Sequence, residues 1–190
     1  MTEHTLRFPD WLRDYPSAAF ALGFANQAHE GQFRKYTGEP YVFHCLDVME
    51  RLYELYRKHN LLVPEEMLCA AALHDTVEDT DTGFQEITEK FGKNVAALVF
   101  WLTDIAPKEW GNREQRKRLA AERIAYAPYS AKVIKYCDIM SNTDSIVEHD
   151  PKFAAVYVPE KCRILELIGD ITLPALLDTV HPDHAFVAVQ

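Results

Sequence analysis

Apolar residues recur three and four positions apart along most of the chain, and short stretches of Pro, Gly, Asp, Asn and Ser interrupt them. That period is the mark of helices with one buried face, and the interruptions mark their ends. From about Ser17 to Glu30, Phe20, Phe24 and Ala28 fall on one predicted face. Gly31 and the run Tyr36-Thr37-Gly38-Glu39-Pro40 then predict a loop over Gln32 to Tyr41. A second helix starts near His44, with Leu46, Met49, Leu52, Tyr53 and Tyr56 as core positions. A third opens at Pro64 with Glu65 and Glu66 in its first turn, where carboxylates complement the helix dipole. It runs through Met67-Leu68-Cys69-Ala70-Ala71-Ala72-Leu73 into His74 and Asp75.

Thr82 is placed to cap a short helix that ends before Gly92, and Val95, Leu98, Val99, Leu102 and Ile105 predict the next. Asn112 to Ala125 reads as a charged helix stopped before Pro128, and Ser130 as the cap of another from Ala131 to about Val147. Pro151 and Pro159 are expected to break up the segment that follows. Glu160 to Gly169 reads as helical, Leu173 to Val180 as a weaker helix, and the tail after His181 as peripheral. The expectation is an all-α fold, a helical bundle of about eight to ten helices. It forms one domain over residues 1–190, with a C-terminal helix and tail from 170.

Composition supports this and narrows the function. The 190 residues suit one domain and bury about 70% of the unfolded surface, so folding needs no disulfide or metal. Only 7 residues are Gly, and Ala and Leu outnumber Val and Ile, which favours helix over sheet. Lys and Arg number 20 against 29 Asp and Glu, a net charge of −9 that argues against a long nucleic-acid partner. Cys45, Cys69, Cys137 and Cys162 form no CxxC pair. Met1 to Leu12 lacks a signal-peptide core, and no apolar run reaches the roughly 18 residues of a membrane span. The expectation is a cytoplasmic protein with reduced thiols and no membrane partner.

The apolar helix before His74-Asp75 carries the strongest chemical signal. Ala70 and Ala71 lie one turn earlier on the same face, so His74 and Asp75 are predicted to point inward. A buried unpaired carboxylate is costly, and a metal ion would satisfy both residues at once. For a bare His-Asp dipeptide an ordinary helix-end polar pair is the commoner arrangement. Asp138 poses the same problem beside Val133, Ile134 and Cys137, with Asn142 and Ser145 following at i+4 and i+7. Taken alone, an interhelical hydrogen-bond network explains it as well.

With His44, these residues make a set of two imidazoles and two carboxylates. Such ligation suits Mn²⁺, Fe²⁺, Co²⁺ or Zn²⁺, and the lack of thiolates argues against structural zinc. Glu78 and Asp79, one turn beyond His74-Asp75, are placed for acid–base work on water, or form a solvated acidic helix end continued by Asp81. Arg34 and Lys35 put two cations in the loop before His44, suited to a base or to phosphate. Arg113, Arg116, Lys117, Arg118 and Arg123 form a basic face, with Glu114–Arg118 pairing as its ordinary explanation. His181-Pro182-Asp183-His184 has the residue types of a metal motif, but Pro182 disfavours helical pairing of its histidines.

Several blocks in order carry a family resemblance. Ala28-His29-Glu30-Gly31-Gln32-Phe33-Arg34-Lys35, then Gly38-Glu39-Pro40-Tyr41 and His44, resemble the opening of the HD-type hydrolase domain of the Rel/Spo alarmone enzymes. Ala71-Ala72-Leu73-His74-Asp75-Thr76-Val77-Glu78-Asp79-Thr80 resembles their HD-x-x-E-D motif. Ile134-Lys135-Tyr136-Cys137-Asp138 with Asn142 resembles the distal metal segment, and Tyr157 with Glu160-Lys161 matches a weaker pattern. The resemblance spans about residues 17–169 and is nearest to the small stand-alone alarmone hydrolases.

It implies Mn²⁺-dependent removal of the 3′-diphosphate of guanosine tetra- or pentaphosphate, with a small nucleotide as the partner. Another divalent transition metal could replace Mn²⁺, and a homo-oligomer stays open. By position, His44, His74, Asp75 and Asp138 would bind metal, and Glu78 and Asp79 would position or activate water. Arg34 would border the base with Lys35 near phosphate, Asn142 and Ser145 would face ribose or base, and Arg113 would meet phosphate. Cys45 stands where the family often has Pro, and Ile139-Met140-Ser141 where it commonly has Arg-Leu-His. An adenosine alarmone or NADPH is therefore the alternative substrate, and a non-catalytic nucleotide-binding module the alternative class. The charge a polyphosphate needs is local, in Arg34, Lys35, the Arg113 helix and the metal.

Overall fold

The computed structural model describes residues 6–106, 108–172, 176, 177 and 179. Among them are eight α-helices: α1 (Pro16–Ala28), α2 (Val42–Arg57), α3 (Glu65–Leu73), α4 (Thr76–Asp79), α5 (Phe84–Leu102), α6 (Arg113–Ala125), α7 (Tyr129–His149) and α8 (Pro151–Ile168). The fold is all-α, as expected, and the described residues pair as strand only at the single bridge Phe33–Pro40. No described helix is long and apolar enough to cross a membrane.

Helix α3 is the axis. Every residue from Met67 to Leu73 is buried, as befits a helix apolar on all sides. It packs against α1, α2, α5 and α7. Ala70, Ala71 and Ala72 keep it slim, so neighbouring backbones come close and the end of α3 lies deep in the molecule. Helix α1 meets it with an equally small face, Ala18, Ala21, Leu22 and Ala25. This corrects the expected face of α1: Phe20 is 57% exposed and sits against Phe91, because a ring of that size does not fit where two alanine faces close. Glu65 also serves α1 rather than only its own helix, accepting from the N–H of Ser17 at 2.6 Å and of Ala18 at 3.3 Å.

The proline reading needs a second correction. Pro151 starts α8 and Pro159 lies inside it, yet the helix continues to Ile168. Proline removes a single intrahelical donor, and packing against α6 and α7 outweighs that loss. Gly92 does interrupt α5, with φ 85° and ψ 168°, a conformation that favours glycine. Gly83 rather than Thr82 precedes α5, and α7 starts at Tyr129 after Pro128, which leaves Ser130 inside its first turn. Ile105 lies beyond the end of α5 and is exposed. Asn112 caps α6 as its position suggests, with reciprocal hydrogen bonds between Asn112 and Gln115. Most of the weaker helix at 173–180 and all of His181 to His184 lie outside the described residues.

Candidate active site

Three helices converge at the inner end of α3. His44 comes from the first turn of α2, His74 follows the last turn of α3 with Asp75 beside it, and Asp138 comes from the middle of α7. Both imidazoles are buried, at 2% and 1% exposure. Each is held through Nδ1: His44 against Ser141 Oγ at 3.0 Å, and His74 donating to the carbonyl of Ala71 at 2.8 Å. That leaves both Nε2 atoms aimed at the same point, and neither has a hydrogen-bond partner. Asp75 Oδ2 lies 3.0 Å from His74 Nε2 and 3.6 Å from His44 Nε2. Asp138 Oδ1 lies 3.4 Å from His44 Nε2 and 3.7 Å from His74 Nε2.

Two orphaned buried ring nitrogens facing two carboxylates are a donor set that fits a divalent cation. The Nδ1 contacts give the fixed ring orientation such ligation requires. The carboxylates are supported in turn. Tyr41 donates to Asp75 Oδ2 at 2.6 Å, Lys135 to Asp138 Oδ2 at 2.7 Å, and Asn142 to Asp138 Oδ1 at 2.6 Å. Arg34 donates to Asn142 Oδ1 at 2.9 Å, extending the chain of contacts to the loop before α2. Burial opposes the charge on Asp75, but His74 and His44 hold its carboxyl well below the usual range. Lys135 and the two imidazoles do the same for buried Asp138.

Above this cluster opens a cleft of about 510 Å³, within the size range of small-ligand pockets. Asp75, Glu78, Asp79 and Asp138 line its acidic end. Trp101, Ile105, Trp110 and Ile164 form apolar wall, and Lys117, Arg123, Lys135 and Lys161 bring positive charge. Burial and the charge of Asp75 push the carboxyls of Glu78 and Asp79 upward, which moves them toward the range useful for proton transfer near neutral pH. Glu78 is steadied by the N–H of Asp104 at 2.7 Å.

A family profile described as an HD domain matches residues 21–143, well over half of the chain. The chain belongs to the HD-domain family. The branch is the Rel/Spo type, as its relatives show. Over 143 residues, 74% of this chain and 76% of the other, it is 37% identical to guanosine-3′,5′-bis(diphosphate) 3′-pyrophosphohydrolase MESH1 of Drosophila melanogaster. Over 98 residues it is 49% identical to the guanosine-3′,5′-bis(diphosphate) 3′-pyrophosphohydrolase of Aquifex aeolicus strain VF5, covering 50% of this chain and 13% of that longer protein. A solved structure described as a metazoan ortholog of SpoT that hydrolyzes ppGpp superposes with a TM-score of 0.72 at 26% identity, over 92% of this chain and 94% of that one.

In this HD domain the metal-ligand candidates His44, His74, Asp75 and Asp138 come together. Glu78, Asp79 and Asn142 line the large cleft beside Asp75 and Asp138. Other candidates stand apart from that cleft. Arg34 and Ser145 line a smaller hollow with His44 and Ser141. Lys35 is exposed and engaged with Tyr36 and Asp150. Arg113 forks onto Glu160 at the surface. Arg118 pairs with Glu122 rather than with Glu114. Tyr41 and Lys135 are supporting residues that the sequence reading passed over. Lys135 could have been found, since it sits three residues before Asp138 on the same helix face; nothing local marks Tyr41.

Proposed function

We propose that this HD-domain hydrolase removes the 3′-diphosphate of guanosine tetra- or pentaphosphate and releases pyrophosphate, with Mn²⁺ as its metal. The observation that carries the reading is the pair of partnerless His44 and His74 Nε2 atoms facing Asp75 and Asp138 at the acidic end of the cleft. The names of the relatives supply the substrate. A divalent cation held by these four residues would supply positive charge for phosphate oxygens and acidify water.

The chain's own residues do the rest. Glu78 and Asp79 orient the attacking water and take its proton, and their raised pKa suits that role. The bond between phosphorus and the ribose 3′-oxygen is replaced by one to the oxygen of water, and the ribose oxygen takes up a proton. The apolar walls at Trp101 and Trp110 receive the base or ribose and exclude bulk water. Arg34 borders the nucleotide and keeps Asn142 turned toward Asp138. Arg34, Lys35, Arg113 and Ser145, which lie outside the large cleft, are proposed for the outer parts of the substrate.

The departures from the family pattern lie beneath the site rather than in the cleft. Cys45 and Ile139 are buried in the core, Ser141 positions His44, and Met140 borders a hollow beside Arg51. Ser141 also lines the hollow that holds Arg34 and Ser145, and it is the relatives' names that favour the guanosine substrate over an adenosine alarmone or NADPH.

With Mn²⁺, the purified protein is expected to release pyrophosphate from ppGpp, and EDTA to stop it. Metal-loaded protein that binds ppGpp without turnover would instead support a binding module. Arg34→Ala is expected to raise KM by about tenfold, the scale of one charge-assisted hydrogen bond, with a smaller change in kcat. An unchanged KM in steady-state assays would remove Arg34 from substrate contact.

A further inference from the structure

Four cations line the large cleft, and three are already engaged. Lys117 pairs with Asp104 at 3.0 Å, and Lys135 with Asp138 at 2.7 Å. Arg123 donates to the backbone carbonyls of Phe100, Trp101 and Thr103 and lies over the Phe100 ring. Lys161 is the exception. Among the described residues its ammonium meets no hydrogen-bond or ion-pair acceptor, and it lies over the Tyr157 ring, 5.0 Å from the centroid. The acid next to it in sequence, Glu160, is taken by the guanidinium of Arg113 from the facing helix α6.

An ammonium inside a cleft, without an acceptor, is poorly placed unless a ligand supplies one. Burial and the charges of Lys135 and Lys117 oppose Lys161, Asp138 and Glu160 offset them only in part, and its pKa is lowered to about 8. An anion entering the cleft would relieve that repulsion. The aromatic face of Tyr157 meets the ammonium itself, a contact that leaves its N–H donors without an acceptor.

We propose that Lys161 is a phosphate-binding residue that receives the distal phosphate of the diphosphate within the large cleft. The inference rests on the hydrolase reading above and adds a contact residue to it.

The test is calorimetric binding of inorganic pyrophosphate to the Mn²⁺-loaded protein. Lys161→Met is expected to raise the Kd about tenfold or more, the scale of a lost charge-assisted hydrogen bond, at unchanged metal content. Lys161→Arg, which keeps the charge, is expected to recover most of the affinity. An unchanged Kd in folded, metal-loaded K161M overturns the proposal. A second measurement needs no variant: pyrophosphate should shield Lys161 of the wild-type protein from acetylation by an N-hydroxysuccinimide ester, followed by mass spectrometry. Equal labelling with and without pyrophosphate also overturns it. Lys161-dependent pyrophosphate binding without ppGpp turnover would keep this site and reject the substrate reading. Turnover of ppGpp with a Kd indifferent to Lys161 would do the reverse.

Discussion

Asp138→Ala is expected to lose metal and turnover together. Asp138 Oδ1 faces both free imidazole nitrogens, at 3.4 and 3.7 Å, so its removal opens one side of the donor set. Changes to residues that merely support a ligand cost about 10–100-fold in metal affinity, and loss of a ligand itself should exceed that range. The substitution also strips Lys135, a largely buried cation, of the carboxylate that holds it at 2.7 Å, leaving only the more distant charges of Asp75 and Glu78. Breaking one side of such a pair costs about 3–5 kcal/mol, so the melting temperature should fall as well. Metal analysis after dialysis, alongside pyrophosphate release, reads both effects. Full metal content with no activity would move Asp138 from ligand to substrate contact.

Asp79→Asn should separate chemistry from metal. Asp79 lines the cleft beside Asp75 but is not among the residues whose ligand atoms converge. Loss of a general base lowers rate by about 10²–10⁴-fold, and the amide keeps the size and most of the polarity of the acid. The expected result is a large fall in kcat at unchanged metal content. The pH dependence carries a second signature. Burial and the charge of Asp75 raise the Asp79 carboxyl above its ordinary value of 3.8. As pH falls through that raised pKa the base takes up its proton and rate drops, so the acid limb of the wild-type profile lies above the ordinary aspartate range. In D79N this limb should flatten. Collapse of metal content in D79N would make Asp79 a ligand or a structural group instead.

Three of the four candidate ligands, His74, Asp75 and Asp138, stood out by their local setting, whereas His44 joined the set only beside them. An all-apolar helix running into His74-Asp75, and an acid on the buried side of α7, both raise the question of how a charge survives there. The residues that answer it were harder to see. Tyr41 reaches Asp75 across 34 positions and Arg34 reaches Asn142 across 108, and no periodicity connects residues so far apart. On the basic helix α6, Arg118 is in ordinary salt bridging as expected, though with Glu122, while Arg113, expected at phosphate, pairs with Glu160, and Lys117 meets Asp104 at the cleft.

Local chemistry along the chain was enough to predict helices, their approximate limits and an all-α fold, and to mark His74, Asp75 and Asp138 as buried groups in need of partners. A 3.6-residue period and the cost of buried charge are both properties of short segments. Which face of a helix its neighbours cover is not such a property. Phe20 is outside and Ala21 inside because α1 closes on the alanines of α3. Pro159 stays helical because α6 and α7 hold α8 in place. Arg113 meets Glu160, 47 positions away, only because α6 packs on α8, and among the described residues Lys161 is left in the cleft without an acceptor.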